Sequence, residues 1–170
     1  IIKKIRQSLF HACHSIIERD APVSYTNIAI MGTYVTLVTG ELFQQKEFLN
    51  YGMENLNKLY EYTTYHGAFN EYNSPTYTIV AIEDLKRMLN QVKDKKCKEK
   101  IQTLYNIGWE CIASHFHPPT WQWAGPHSRC YNNLRGRKFW SRLQLATGIE
   151  FLDEEDIKIE IDWPRINLQC

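Results

Sequence analysis

A chain of 170 residues, 44% hydrophobic and 23% charged, is long and apolar enough for one domain with a sizeable core, which excludes wholesale disorder. Twenty basic side chains against nineteen acidic ones leave no field that would gather nucleic acid, so no such partner is expected. No apolar run approaches the roughly 20 residues of a membrane helix. The most apolar one, Ile28 to Val38, is short and interrupted by Gly32, Thr33 and Thr36, so no membrane partner is expected either.

From Ile1 to about Arg19, apolar residues such as Ile2, Ile5, Leu9, Cys13 and Ile16 recur at helical spacing, and Asp20-Ala21-Pro22 stops the helix. Ser24 is positioned to cap a second helix that runs to about Phe43. That helix is apolar on nearly every side, which predicts an inner, buried element. A third, about Gln45 to Tyr65, carries one stripe (Leu49, Met53, Leu56, Leu59, Tyr60) and a polar opposite face, so it reads as an outer helix. Ser74-Pro75 is a cap and first-turn proline pair, predicting a fourth helix from there to about Val92. A fifth spans Cys97 to His115, and a weaker helical pattern covers Phe139 to Ala146. Ile157, Ile159 and Ile161 then alternate with charged residues, a strand signal. Lys93 to Lys100 and Glu150 to Glu155 are charge runs of the kind that solvated helix ends carry.

Alternating inner and outer helices predict an all-α protein of antiparallel hairpins. The absence of a fixed repeat favours part of an (α/α) toroid over a regular solenoid. Residues 1–150 are expected to form the helical domain and 151–170 the start of a β region. The chain begins inside a helical pattern and stops inside a β pattern, so it is expected to be a piece of a longer protein. Five cysteines without CxxC spacing indicate no disulfide framework. With no Asn-x-Ser/Thr sequon, they lean toward a reducing compartment.

Two segments are not explained by helix packing. One is Phe69-Asn70-Glu71-Tyr72-Asn73-Ser74-Pro75-Thr76-Tyr77, opened by Gly67; the other is His115 to Tyr131, HFHPPTWQWAGPHSRCY. Loops dense in aromatic, amide and ionisable groups usually hold a ligand or close the fold. The strings EYNSPTY and AGPHSR-Y resemble those of a group of uncharacterised bacterial and fungal proteins of six-hairpin glycosidase-like, or (α/α) toroid, architecture. The resemblance covers Gly67 to Tyr131 and implies that fold; it carries no settled catalytic residue.

Glu71, among rings and amides, suits a general acid of raised pKa, or else it braces a helix start. Two-carboxylate hydrolysis would need a partner, for which Glu41 and the acids around Asp153 are candidates. His127, Arg129 and Tyr131 fall at i, i+2 and i+4, a spacing that extended backbone projects to one side. Base, carboxylate-neutralising cation and acid together describe β-elimination from a uronic acid, a chemistry that toroid folds host. The alternative is that Arg129 pairs with Glu71 or another acid and His127 with backbone, knitting the two loops. Asn73, Tyr77, His117, Trp121 and Trp123 are the expected substrate-binding residues, the tryptophans by stacking on sugar rings. Cys111, His115, His117, His127 and Cys130 fit no standard metal-ligand spacing, so no metal is expected. No phosphate loop, Ser-His-Asp set or nucleotide fingerprint is present, so no cofactor is expected. The expected function is polysaccharide hydrolysis or elimination in a cleft between loops 67–77 and 115–131. Its rival is a non-catalytic helical module that docks a glycan or protein on an open patch around Trp121 and Trp123.

Overall fold

The computed structural model describes residues 2–120, 122–131, 139–141, 143–144 and 148. They fall into two compact units, one ending at Tyr131 and one beyond it. The first contains α1 (Ile2–Arg19), α2 (Thr26–Phe43), α3 (Lys46–His66), α4 (Tyr77–Gln91) and α5 (Lys95–His115). A two-residue antiparallel hairpin follows, β1 (Phe116–His117) pairing with β2 (Gln122–Trp123) across a 3-10 turn at Pro118–Thr120. The fold is all-α, built from antiparallel hairpins. In the second unit, 139–141 and 143–144 are helical, within the helix expected at 139–146. The expected strand at 157–161 lies outside the described residues. No helix among the described residues is long and apolar enough to cross a membrane.

The two hairpins, α2–α3 and α4–α5, lie side by side in the same sense. At one end the backbone N–H of Asn27, in the first turn of α2, meets Glu71 just before α4. At the other end the Glu41 carboxylate, near the close of α2, accepts from the backbone N–H groups of Lys93 (2.8 Å) and Asp94 (3.1 Å) just after α4. Ile30 and Leu37, Leu56 and Leu59, Leu85 and Met88, and Ile101 and Leu104 bring each of the four helices into one core. Helix α2 contributes the most buried positions, as its all-round apolar surface predicts. Its buried threonines solve their own polarity, with Thr33 and Thr36 hydroxyls donating back to the carbonyls of Ala29 and Gly32. Gly40 and Gly52 remove side-chain bulk where α2 and α3 approach most closely.

Helix α1 packs against α2 and α3 with Phe10 edge-on to Phe43 and Phe48, and Cys13 is its one buried residue. The helix starts follow local chemistry. Asp94 caps α5 by accepting from Cys97 N–H at 2.8 Å, a bond that holds its carboxyl below the usual range. The Ser74 hydroxyl accepts from Tyr77 N–H at 3.2 Å, the capping role expected of it. Ser24 does not cap α2. Its carbonyl instead accepts from the Asn70 side chain, and no side chain caps that helix.

Glu41 cannot be the second carboxylate of a hydrolytic pair with Glu71. From Asn27 to Glu41 the helix rises about 21 Å, whereas such pairs stand within about 10 Å. Glu41 is a cap for the α4–α5 connection. Glu41→Ala should lower the free energy of unfolding by about 1 kcal/mol, read from the urea midpoint.

Candidate functional site

The two loops meet at the end of the bundle where α2 and α4 begin and α3 and α5 finish. Asn73 is the centre of the junction and is 1% exposed. Its amide donates to the carbonyls of Ala124 and Pro126, both at 2.9 Å, and its Oδ1 accepts from the indole N–H of Trp123. Its φ of 47° is a left-handed conformation that Asn tolerates better than most residues. The backbone of the same segment is tied as well. Ser128 N–H donates to Tyr72 O at 3.0 Å, and His127 Nδ1 lies 2.8 Å from Asn73 O. His127 Nε2 lies 3.1 Å from Trp123 O, so both ring nitrogens face carbonyl oxygens. Tyr72 OH bonds His115 Nε2 at 2.9 Å, and His115 Nδ1 faces Cys111 O at 2.8 Å.

Beside this clasp stands a charged and aromatic rim. Glu71 is 6% exposed; its Oε2 accepts from Asn27 N–H at 3.0 Å, and its Oε1 lies 3.3 Å from Arg129 Nη1. The Glu71–Arg129 approach is an ion pair without the alignment of a hydrogen bond. Arg129 lies over the rings of Tyr25 (5.2 Å) and Tyr77 (5.4 Å), and the Tyr77 ring meets Tyr131 at 6.0 Å. The Tyr25 phenol, and then the Glu71 charge, hold the guanidinium above its ordinary pKa. The Tyr131 phenol is pushed up chiefly by its bond to Tyr77. Tyr131 and Arg129 are exposed, and Tyr25 and Tyr77 are half-buried.

The convergence of the two loops agrees with the sequence reading, but the expected set is divided. His127, Arg129 and Tyr131 do not share one extended face, because Arg129 takes a left-handed φ of 47° in a turn. His127 turns into the clasp, while Arg129 and Tyr131 turn out to the rim. Asn73 and Trp123 (3% exposed) were expected to touch substrate and are instead buried against each other. A docking patch of paired tryptophans therefore cannot include Trp123, and Trp121 lies outside the described residues. Tyr77 is on the rim, and exposed His117 meets Thr120 Oγ1 at 2.8 Å. Glu71 braces the start of α2 and not that of α4, the helix it precedes and was weighed as bracing.

Tyr25, Asn27 and Ser128 belong to this end of the molecule and were not singled out from the sequence. The signal for Asn27 was present: it is a polar residue in the first turn of a helix apolar on nearly all sides. The buried thiols offer no nucleophile. Burial pushes Cys13 and Cys111 up and Cys97 up to about 12, far from the reactive thiolate range. Among the described residues no group of three or more His, Cys, Asp or Glu is placed to hold a metal. No curated protein and no solved structure matches the chain. A family described as a domain of unknown function, DUF8769, matches residues 3–141, most of the chain, and the chain belongs to that family.

Proposed function

We propose that the rim formed by Arg129, Tyr25, Tyr77 and Tyr131 binds an acidic carbohydrate, and that the protein processes such polymers by β-elimination. The same-sense hairpins support a segment of an (α/α) toroid as the scaffold. The observation that carries the reading is the placement of Arg129, exposed and held between two tyrosine rings. A guanidinium so fixed presents paired N–H donors to a carboxylate, and the flanking phenols add ring faces and hydroxyls for a sugar. Elimination needs a cation at the uronate carboxylate and groups that move protons beside it. Arg129 supplies the first; of the adjoining Tyr77 and Tyr131 hydroxyls, one takes the proton from the carbon next to the carboxylate and the other returns a proton to the leaving oxygen as the C–O bond breaks. Hydrolysis is the alternative; Glu71 is tied to Arg129 and Asn27, Glu41 is at the far end, and the acids around Asp153 lie outside the described residues.

One observation favours a second reading, a glycan-binding module without catalysis. Glu71, Asn73, Trp123 and His127 are all engaged in bonds between the loops or with a helix start. Titration with uronate oligosaccharides, followed in parallel by the ultraviolet absorbance of unsaturated products, separates the two. Binding with rising absorbance supports the lyase; binding without it supports the module. The Arg129→Ala variant should bind at least about tenfold more weakly in either case. No binding by the parent protein sinks the reading.

A further inference from the structure

Three buried side-chain atoms have no hydrogen-bond partner among the described residues: Asn27 Oδ1, Glu71 Oε1 and Ser128 Oγ. Buried polar atoms are ordinarily paired, so orphans on residues at the same end of the molecule need a physical account. These three belong together. Asn27 N–H holds the other oxygen of Glu71, and Ser128 N–H holds the carbonyl of Tyr72, the residue after Glu71. Arg129 follows Ser128 and reaches back to Glu71 Oε1. Asn27 and Glu71 are 7% and 6% exposed, whereas the Arg129 side chain is 45% exposed and extends from solvent to the cluster.

We infer that Asn27, Glu71 and Ser128 form a hydroxyl-recognising subsite next to Arg129, which makes the protein selective for acidic sugars with free ring hydroxyls near the carboxylate. The inference rests on the acidic-carbohydrate reading of the rim. Two acceptors and one hydroxyl are complementary to neighbouring sugar hydroxyls. One hydroxyl donates to Asn27 Oδ1 and the next to Glu71 Oε1, while the Ser128 hydroxyl donates to a ring substituent oxygen. A cation is disfavoured as occupant, because the Arg129 guanidinium already balances Glu71 and repels a second positive charge. A ligand carboxylate that draws the guanidinium outward uncovers Glu71 Oε1, so binding of the carboxylate and of the hydroxyls is linked. Asn27 and Ser128 act on specificity by direct contact with the sugar.

The test is calorimetric titration of the whole chain with an oligogalacturonate and with the same oligosaccharide O-acetylated at its ring hydroxyls. The parent protein should bind the acetylated form at least about tenfold more weakly, since a site built to pair with hydroxyls rejects the analogue that lacks them. Asn27→Leu and Ser128→Ala should each lose affinity for the free form and bind the two forms alike. Ser128→Ala removes only a loop hydroxyl and keeps the test open where Asn27→Leu fails to fold. Equal binding of both forms by the parent, or unchanged selectivity in the variants, overturns the subsite while leaving the acidic-sugar reading intact. Failure of the parent to bind either form overturns both.

Discussion

Replacing Asn73 with alanine should lower the free energy of unfolding by about 4 kcal/mol, a large share of the roughly 5–15 kcal/mol that holds a domain together. The amide accepts from the Trp123 indole N–H and donates to the carbonyls of Ala124 and Pro126. Each group left unpaired out of water costs about 1–3 kcal/mol. Residues 124 and 126 are exposed, so their carbonyls recover part of the loss from solvent, whereas the buried indole does not. Alanine adds about 1 kcal/mol for the left-handed backbone, and Asn73→Gly should recover that part alone. Urea unfolding at constant slope measures both variants. A loss under about 1 kcal/mol for the alanine variant would mean that the loops hold together without this amide.

Gly40→Ala should destabilise by about 3 kcal/mol, reversing the sign usual for a helix interior, where alanine is favoured over glycine by about 1 kcal/mol. A Cβ at position 40 would lie 2.6 Å from the backbone nitrogen of Leu49 and 2.8 Å from its Cα. Those atoms belong to the frame of α3 and cannot turn aside as a side chain can. Gly32 supplies the control. There the added carbon would meet a side-chain methyl, Ile16 Cγ2 at 3.1 Å, and no backbone atom, so Gly32→Ala should cost clearly less than Gly40→Ala. Thermal melts of the two variants decide the matter, and equal shifts would show that the α2–α3 spacing is not fixed by glycine.

The helices are legible in the sequence because their signals are periodic and local. Leu49, Leu56 and Leu59 mark one face of α3, and Ser74 caps α4 through a bond to a residue three positions on. The clasp is only half legible. Composition marks both segments as unusual, but the spacing of His127, Arg129 and Tyr131 gives one shared face only where the backbone is extended. A left-handed residue inside the string turns the later side chains away from the earlier ones, and nothing in Arg129 announces φ > 0 as a glycine would. Glu71 shows the same limit. Its neighbours in sequence suggest a desolvated acid, while its partners Asn27 and Arg129 come from 44 positions before and 58 after. Tyr25 is hidden because the expectation of a Ser24 cap accounts for that turn.

The bonds of the clasp between the two loops join residues 43 to 56 positions apart, whereas each helical hairpin joins neighbours in the chain. Closing a long loop costs configurational freedom before any bond rewards it, so the hairpins can assemble first and residues 123–128 dock last. The rim that Arg129 completes then comes into being only with the final step of folding. Reversal of that step, with the helical core intact, is a local opening that costs less than unfolding the whole domain.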